Sequence, residues 1–468
     1  MRKTILLVSL LSILLIHSSS AFADERQDSR AGMQPGSDLL ALRTDARVCA
    51  RTDSTSTVSC DIHVLQNNDG SPFTTSNYIS GYTPAQLHAA YGAATGASQK
   101  QIIAIVDAYD NPNVQSDLAT YSSALGIPGL AACSGAISAT AQPCFKKIDQ
   151  SGGGNYPAGN TSWGLEIDLD VQAAHAMCQN CSILLVEAKS TSYNDLLAAV
   201  DTAVAQGATI VSNSYGSSEF SGQSYYDPHF NRQGVAFLFS SGDSGYGVQY
   251  PASSPYVTAV GGTHLTMSGT TYQGESAWSG AGSGCSAYSS KPSFQTDSNC
   301  AHRTVADVSA DADPQSGIAI YDSYGYNGVT GWFTAGGTSL AAPIIAGVYA
   351  LAGGVPSNVM GNSMVYNGAI GLRDVTSGAN GSCSLSYLCT ALSGYDGPTG
   401  LGTPKLSGGT QSTGSSGSSP TSGSGTGSGT SGTSSTGTTG TTGGTGSGST
   451  GSTGGSDRYH RRTDWSRW

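Results

Sequence analysis

Phe333-Thr334-Ala335-Gly336-Gly337-Thr338-Ser339-Leu340-Ala341-Ala342-Pro343 passes from an apolar, strand-like segment through a sharp turn into a helix. Gly336 and Gly337 permit a tight backbone turn that side chains would obstruct. Pro343 is expected in the first helical turn, where its missing N–H would have no partner. Leu340 to Ala352 then reads as an apolar helix. Ser339 is thereby set at a helix N-terminus, among free N–H groups and at the positive end of the dipole. That position helps nucleophilic attack on a carbonyl, because donors for the developing oxyanion are already in place. The plain alternative is a capping serine, which an isolated Gly-Thr-Ser would suggest. The rest of the chain bears on the choice.

Residues 1–23 have the form of a secretory signal. Arg2 and Lys3 give a positive start, Ile5 to Ile16 an apolar core too short to span a bilayer, and Ala21-Phe22-Ala23 a cleavage site. No later run of 18 or more apolar residues exists, so an exported protein without a membrane span is expected. The ten cysteines are even in number, as an oxidising compartment allows. Nearest neighbours suggest bridges Cys49–Cys60, Cys133–Cys144, Cys285–Cys300 and Cys383–Cys389, although sequence alone leaves the pairing open. Cys178-x-x-Cys181 fits a bridge or a redox pair, and the exported context favours the bridge. Only 11% of residues are charged, against about 25% in typical proteins, and the formal net charge is −11. Few carboxylates need protonating in acid, so the surface tolerates acidification. No basic stripe exists, which argues against nucleic-acid binding.

Residues 24–80 are polar and read as a short N-terminal extension or reduced propeptide. A folded body follows over 81–407. Apolar runs at Ile102–Val106, Ile183–Val186, Thr209–Val211, Val235–Phe239, Tyr256–Val260 and Gly331–Thr334 alternate with helical stretches such as 163–178 and 194–206. The alternation predicts an α/β architecture with a mainly parallel sheet. Ligand sites of such sheets lie beyond the carboxyl ends of the strands, where Asp107, Tyr215, Asp243 and Ser339 fall. Residues 408–456 are almost entirely Gly, Ser and Thr, a flexible linker without a core, and 457–468 form a short basic tail.

Glu166 and Asp170 share a face of the helix that begins near Trp163, about 40° apart. Like charges at that spacing repel unless they share a proton or serve a purpose. A solvated acidic face is the bland reading, yet Leu165, Ile167, Leu169 and Val171 make the helix largely buried. Asp168 and His175 point roughly the other way. Asp243, in Ser241-Gly242-Asp243-Ser244-Gly245, fits an ordinary Asx turn. It equally fits a carboxyl that, when protonated, donates to an oxyanion. No histidine lies in a nucleophile-activating context. His17, His63 and His460 fall in the signal, the extension and the tail, and His88, His175, His229, His264 and His302 read as surface or structural residues.

Together these pieces resemble the sedolisin family, the serine-carboxyl peptidases with a three-layer subtilisin-like α/β fold and a mainly parallel central sheet. The resemblance spans about 81–405. It rests on Glu166-x-x-x-Asp170, Ser241-Gly242-Asp243, Gly336-Gly337-Thr338-Ser339-x-x-x-Pro343 and Asp374-Val375 … Gly394-Tyr395-Asp396-Gly397-Pro398-Thr399-Gly400-Leu401-Gly402. Gly81-Tyr82-Thr83-Pro84-Ala85-Gln86-Leu87 and Ala306-Asp307-Val308-Ser309-Ala310 support it.

The resemblance implies Ser339 as nucleophile, Glu166 as its proton acceptor, Asp170 as the residue tuning Glu166, and Asp243 in the oxyanion hole with the Ser339 N–H. Asp107 stands where some members carry a further acidic residue. A glutamate base near its reference pKa of about 4.3 predicts activity in acid. The resemblance also implies one structural calcium ion, held by the side chains of Asp374 and Asp396 and the carbonyls of Val375, Leu392 and Gly394; hard oxygen ligands of this mix suit it. Where the family usually carries a long prodomain, only about 57 residues lie between Ala23 and Gly81, so a reduced or absent prodomain is expected. The expected protein is a secreted, monomeric acid endopeptidase acting on polypeptides. The alternatives are a serine peptidase of histidine type, which lacks its His-Gly-Thr setting here, and a catalytically silent secreted binding protein on the same fold.

Overall fold

The computed structural model describes residues 43–406, apart from 77, 94–99 and 140. The signal segment, the Gly/Ser/Thr-rich stretch and the basic tail lie outside the described residues. In chain order the first strands are β1 (Thr44–Arg47), β2 (Ser59–Cys60), β3 (His63–Gln66), β4 (Thr74–Thr75), β5 (Ile102–Ala108) and β6 (Phe145–Asp149). There follow β7 (Ser182–Ala188), β8 (Ile210–Asn213), β9 (Tyr215–Ser218), β10 (Ala236–Ser240), β11 (Gln249–Tyr250), β12 (Thr258–Ser268) and β13 (Thr271–Ala277). The last needed here are β14 (Gly284–Ser290), β15 (His302–Val305), β16 (Val308–Asp311), β17 (Ile318–Tyr326) and β18 (Val329–Gly336). The α-helices are α1 (Pro84–Tyr91), α2 (Val114–Leu125), α3 (Thr161–Met177), α4 (Tyr193–Ala205) and α5 (Thr338–Leu351).

The central sheet runs β13-β12-β10-β8-β5-β7-β6, with β16 beside β12. Every pairing in it is parallel except β12 with β13. Strands β5, β7, β8 and β10 are buried along their whole length. That is what continuous Ile/Val/Leu runs produce when layers cover both faces of a parallel sheet. Helices α3 and α5 pack on each other, α5 also against β8, β10 and β16, and α4 against β5 and β7. Asn160 caps α3 by accepting from the N–H groups of Ser162 and Trp163. From Trp163 to Met177 every residue of α3 is buried, so its carboxylates face protein on all sides.

A second sheet, ordered β1-β3-β18-β17 with β4 on β18, is antiparallel. Two sequence expectations change here. The segment 331–334 belongs to this sheet, in β18, and not to the parallel one; its turn still delivers Ser339 to the site. Residues 44–75, expected to precede the folded body, supply four strands to it, because β3 and β4 find unpaired edges on β18. A third sheet, β11-β9-β2, adds β2 to β9. All five bridges suggested by cysteine spacing are present, Cys178–Cys181 included. No helix among the described residues is long and apolar enough to cross a membrane.

Candidate active site

Gly337 starts the site. Its φ of 97° lies in the left-handed region, and a Cβ there would fall 2.0 Å from the Asp61 carbonyl oxygen and 2.6 Å from Asp243 Oδ2. Only glycine lets the β18–α5 turn come this close to its neighbours. Helix α5 begins at Thr338, and Ser339 is its second residue, fully buried. Pro343 lies one turn deeper than expected, at the sixth helical position. It therefore removes a real i→i−4 bond, the one that would reach the Ser339 carbonyl. The Ser214 hydroxyl donates to that carbonyl instead, at 3.3 Å.

Glu166 and Asp170 lie one turn apart on α3, both fully buried. Asp170 Oδ1 accepts from the Ser214 hydroxyl at 2.9 Å. Ser214 thus ties the acidic pair to the backbone of Ser339. Burial first, then Asp170 and Asp107, raise the Glu166 pKa well above its ordinary value, while the neighbouring Ser339 hydroxyl pulls it down. That hydroxyl is directed at the Ser214 carbonyl, 3.4 Å away, and neither Glu166 oxygen has a hydrogen-bond partner among the described residues. Geometry governs here: Ser339 and Glu166 are neighbours whose hydrogen bond is not yet made, a common state before substrate arrives. Asp107, at the end of β5, joins the pair. Its carboxyl is fully buried with no hydrogen-bond partner among the described residues, and burial raises it to about 8. The expectation of a Glu166 near its reference pKa therefore changes. Three carboxyls in one dry cluster hold their protons more tightly than in water and titrate together.

Asp243 approaches from the turn after β10. Its Oδ1 accepts from the N–H and the hydroxyl of Thr338, at 2.8 and 2.7 Å, and so caps α5. Its Oδ2 is buried without a hydrogen-bond partner among the described residues. Burial, reinforced by Asp61, raises Asp243 to about 7 against the opposing pull of His63, Arg47 and Thr338. His63, set aside on sequence grounds, belongs to this site. Its Nε2 lies 3.7 Å from Asp243 Oδ2, and its Nδ1 shares a 2.6 Å hydrogen bond with Asp45. No hydrogen bond joins it to Ser339 among the described residues. No local motif marks it; only the pairing of β3 with β18 brings it there. Tyr215, also expected near the strand ends, opens β9 and donates to Asn213 Oδ1 at 2.9 Å.

Sequence reading also missed Asp61. Strand β2 pairs with β9, Ser59 opposite Gly216 and Cys60 opposite Tyr215. The next residue continues the pattern. The Asp61 N–H donates to the Ser214 carbonyl at 3.2 Å, and the Asp61 carbonyl accepts from the Ser339 N–H at 3.2 Å. The donor expected in the oxyanion hole is thus engaged by a carbonyl of the chain's own extension. The Cys49–Cys60 bridge braces this strand.

Near the C-terminal end of the domain, Asp396 is fully buried and Asp374 exposed. Asp396 accepts from Leu392 N–H and from both Thr399 donors, each at 2.9 Å, and Asp374 accepts from Gly394 N–H at 2.9 Å. The five expected ligand residues share one loop cluster. Burial raises Asp396 to about 7, and Asp374 adds to it against the loop's hydrogen bonds. A pair of carboxyls that repel, one of them dry, is the donor chemistry a hard cation relieves.

Residues 132–365 match the family model described as the subtilase family. The chain is 30% identical over 366 residues to kumamolisin of Bacillus sp. (strain MN-32), covering 69% of this chain and 62% of the relative. It is 37% identical over 218 residues to sedolisin of Pseudomonas sp. (strain 101), covering 39% of this chain and 36% of that protein. The matches thus span less than two thirds of these relatives. A solved structure of Pseudomonas sedolisin, a serine-carboxyl proteinase complexed with two molecules of pseudo-iodotyrostatin, superposes with a TM-score of 0.58 at 28% identity. The match covers 70% of this chain and 96% of that one. The parallel sheet, the buried helix carrying Ser339 and these matches define a subtilisin-like protein, and the chain belongs to the subtilase family. Within it, the acidic pair on α3 and the relatives matched put it in the sedolisin group.

Proposed function

We propose that this chain is an exported serine-carboxyl endopeptidase that hydrolyses peptide bonds in acid. The observation that carries the reading is the convergence of Ser339, Glu166, Asp170 and Asp243 on one buried turn, with no histidine hydrogen-bonded to the serine among the described residues. In the proposed reaction Ser339 Oγ attacks the substrate carbonyl carbon and its proton passes to Glu166 in the ionised form, the protons of the shared cluster resting on Asp170 and Asp107. The oxyanion is held by the Ser339 N–H and by protonated Asp243 through Oδ2. Glu166 then returns the proton to the leaving amine as the C–N bond breaks. Water, deprotonated by the same Glu166, hydrolyses the ester and regenerates the hydroxyl. Asp170, Asp107 and Ser214 orient Glu166 and set its proton affinity. The disulfides and the signal-like start support export.

Asp374 and Asp396, with the carbonyls of Val375, Leu392 and Gly394, would hold one calcium ion. It would neutralise the pair and lock the C-terminal loops, and it has no part in the chemistry. The test is digestion of denatured casein from pH 3 to 9 by the chain, Ser339→Ala and Glu166→Gln. Acid digestion abolished by both substitutions is expected. Alkaline activity surviving Glu166→Gln would overturn the triad, and no digestion by the unaltered chain or by a chain freed of residues 59–61 would favour a silent binding protein.

A further inference from the structure

Residues 59–61 sit in the cleft as a substrate's acyl side must. The strand runs antiparallel to β9, its last N–H bonds the Ser214 carbonyl, and its last carbonyl faces the Ser339 N–H. Asp61 is therefore the residue whose carbonyl Ser339 would attack, and its side chain reports what the adjoining pocket accepts. The Asp61 carboxylate is buried there. Its Oδ2 accepts from the Ser240 hydroxyl at 2.7 Å and from Gln249 Nε2 at 2.6 Å, and its Oδ1 faces Arg47 Nη1 at 3.3 Å.

The Gln249 amide is fixed before any ligand arrives. It also donates to the Ser240 carbonyl at 3.0 Å. A Cβ on Gly216 would lie 2.5 Å from its Nε2, and one on Gly242 2.8 Å from its Oε1, so two glycines make the slot that clamps it. Two rigid donors converging on one oxygen favour a group that only accepts. A cavity of about 90 Å³ adjoins the site, lined by Arg51, Gly216, Ser241 and Gly242 among others, and leaves room for one more methylene.

We propose that the pocket beside Ser339 selects an acidic side chain, aspartate or glutamate, at the residue preceding the cleaved bond, and that Gln249 and Ser240 set this preference. Arg47, on β1, faces the same carboxylate, and Gln249 and Ser240 are its two donors from outside the extension. The proposal rests on the peptidase reading above. It is tested with a synthetic peptide mixture in which every residue type precedes a bond, digested by the full chain and by Asp61→Ala, which withdraws the side chain now filling the pocket. Ser339→Ala is the control, and mass spectrometry reads the cut positions. At least tenfold enrichment of Asp and Glu over Leu and Lys is expected, with Asn between them. In Asp61→Ala carrying Gln249→Glu that ratio should fall at least tenfold; Ser240→Ala gives a second, less disruptive variant. The ratio is taken within one mixture, so general loss of activity does not enter it. Ser339-dependent cutting without acidic enrichment, or enrichment untouched by both pocket variants, overturns the proposal and leaves the peptidase reading standing. No cutting at any pH by these chains and by a chain freed of residues 59–61 overturns the peptidase reading itself.

Discussion

At the scale of single residues, the site is a set of protons held where water would not hold them. Replacing Ser339 by Ala or Glu166 by Gln should lower kcat at least 10³-fold, because nucleophile and base act as a unit; single-turnover assays on one peptide check this. Asp243 should set the alkaline limb. It is neutral below about 7 and ionises above, which removes a donor and puts a negative charge where the oxyanion forms. Asp243→Asn keeps a donor at every pH, so it should slow the reaction less than the roughly 10²–10³-fold expected of Asp243→Ala. Its alkaline limb should also move upward. A pH–rate profile falling at the same pH in Asp243→Asn would remove Asp243 from this role. Ser339, Glu166, Asp170 and Asp243 were legible because each sits in a short motif with a local physical signature. Asp61, His63, Gln249 and Ser214 carry no such signature, since their roles come from contacts between segments distant in sequence.

At the scale of elements, the parallel core could be read from apolar runs, and the strands and helices so expected are found within a few residues of their predicted bounds, except that β12 runs eight residues past Val260. The second sheet could not. Strands β1, β3 and β4 are short, and they become strands by pairing, β3 and β4 with β18 and β1 with β3. Pro343 was misplaced by one turn for a related reason: the helix start is set by the Asp243 cap on Thr338, not by proline. The covalent brace on β2 yields a prediction. Closing an 11-residue separation, Cys49–Cys60 should contribute about 3 kcal/mol to the fold on a chain-entropy view. Replacing both cysteines by Ser should lower the melting temperature and also free the cleft. Turnover of a short peptide at low concentration should then rise several-fold. A fall in melting temperature with unchanged turnover would mean that β2 stays docked without its bridge.

Across the whole molecule, most of the shifted buried carboxyls move upward, while Asp149 is lowered, its burial outweighed by backbone N–H donors of its turn. Asp117 is raised to about 6, Asp243 and Asp396 to about 7, Asp107 to about 8 and Glu187 to about 9, burial being the first cause in each. Asp168, Asp170 and Asp311 are raised too. A group with a raised folded-state pKa adds stability that is complete below its unfolded value, near 4, and is lost as pH climbs through the folded value. The melting temperature should therefore be highest near pH 4 and fall by roughly 5 °C or more by pH 8, as calorimetry across that range would report. Chelation should add to the loss. If calcium sits on Asp374 and Asp396, EDTA at neutral pH should lower the melting temperature by several degrees and leave initial rates unchanged. An Asp396→Asn chain should be indifferent to EDTA.

Strand β2 belongs to the same polypeptide as the cleft it fills, so dilution never removes it. A short tether holds its ligand at an effective concentration commonly in the millimolar range. A free peptide supplied at micromolar levels meets a cleft already taken, whatever the protein concentration. Under those conditions turnover keeps time with the undocking of residues 59–61, and the chemical step becomes visible only once that tether has been loosened.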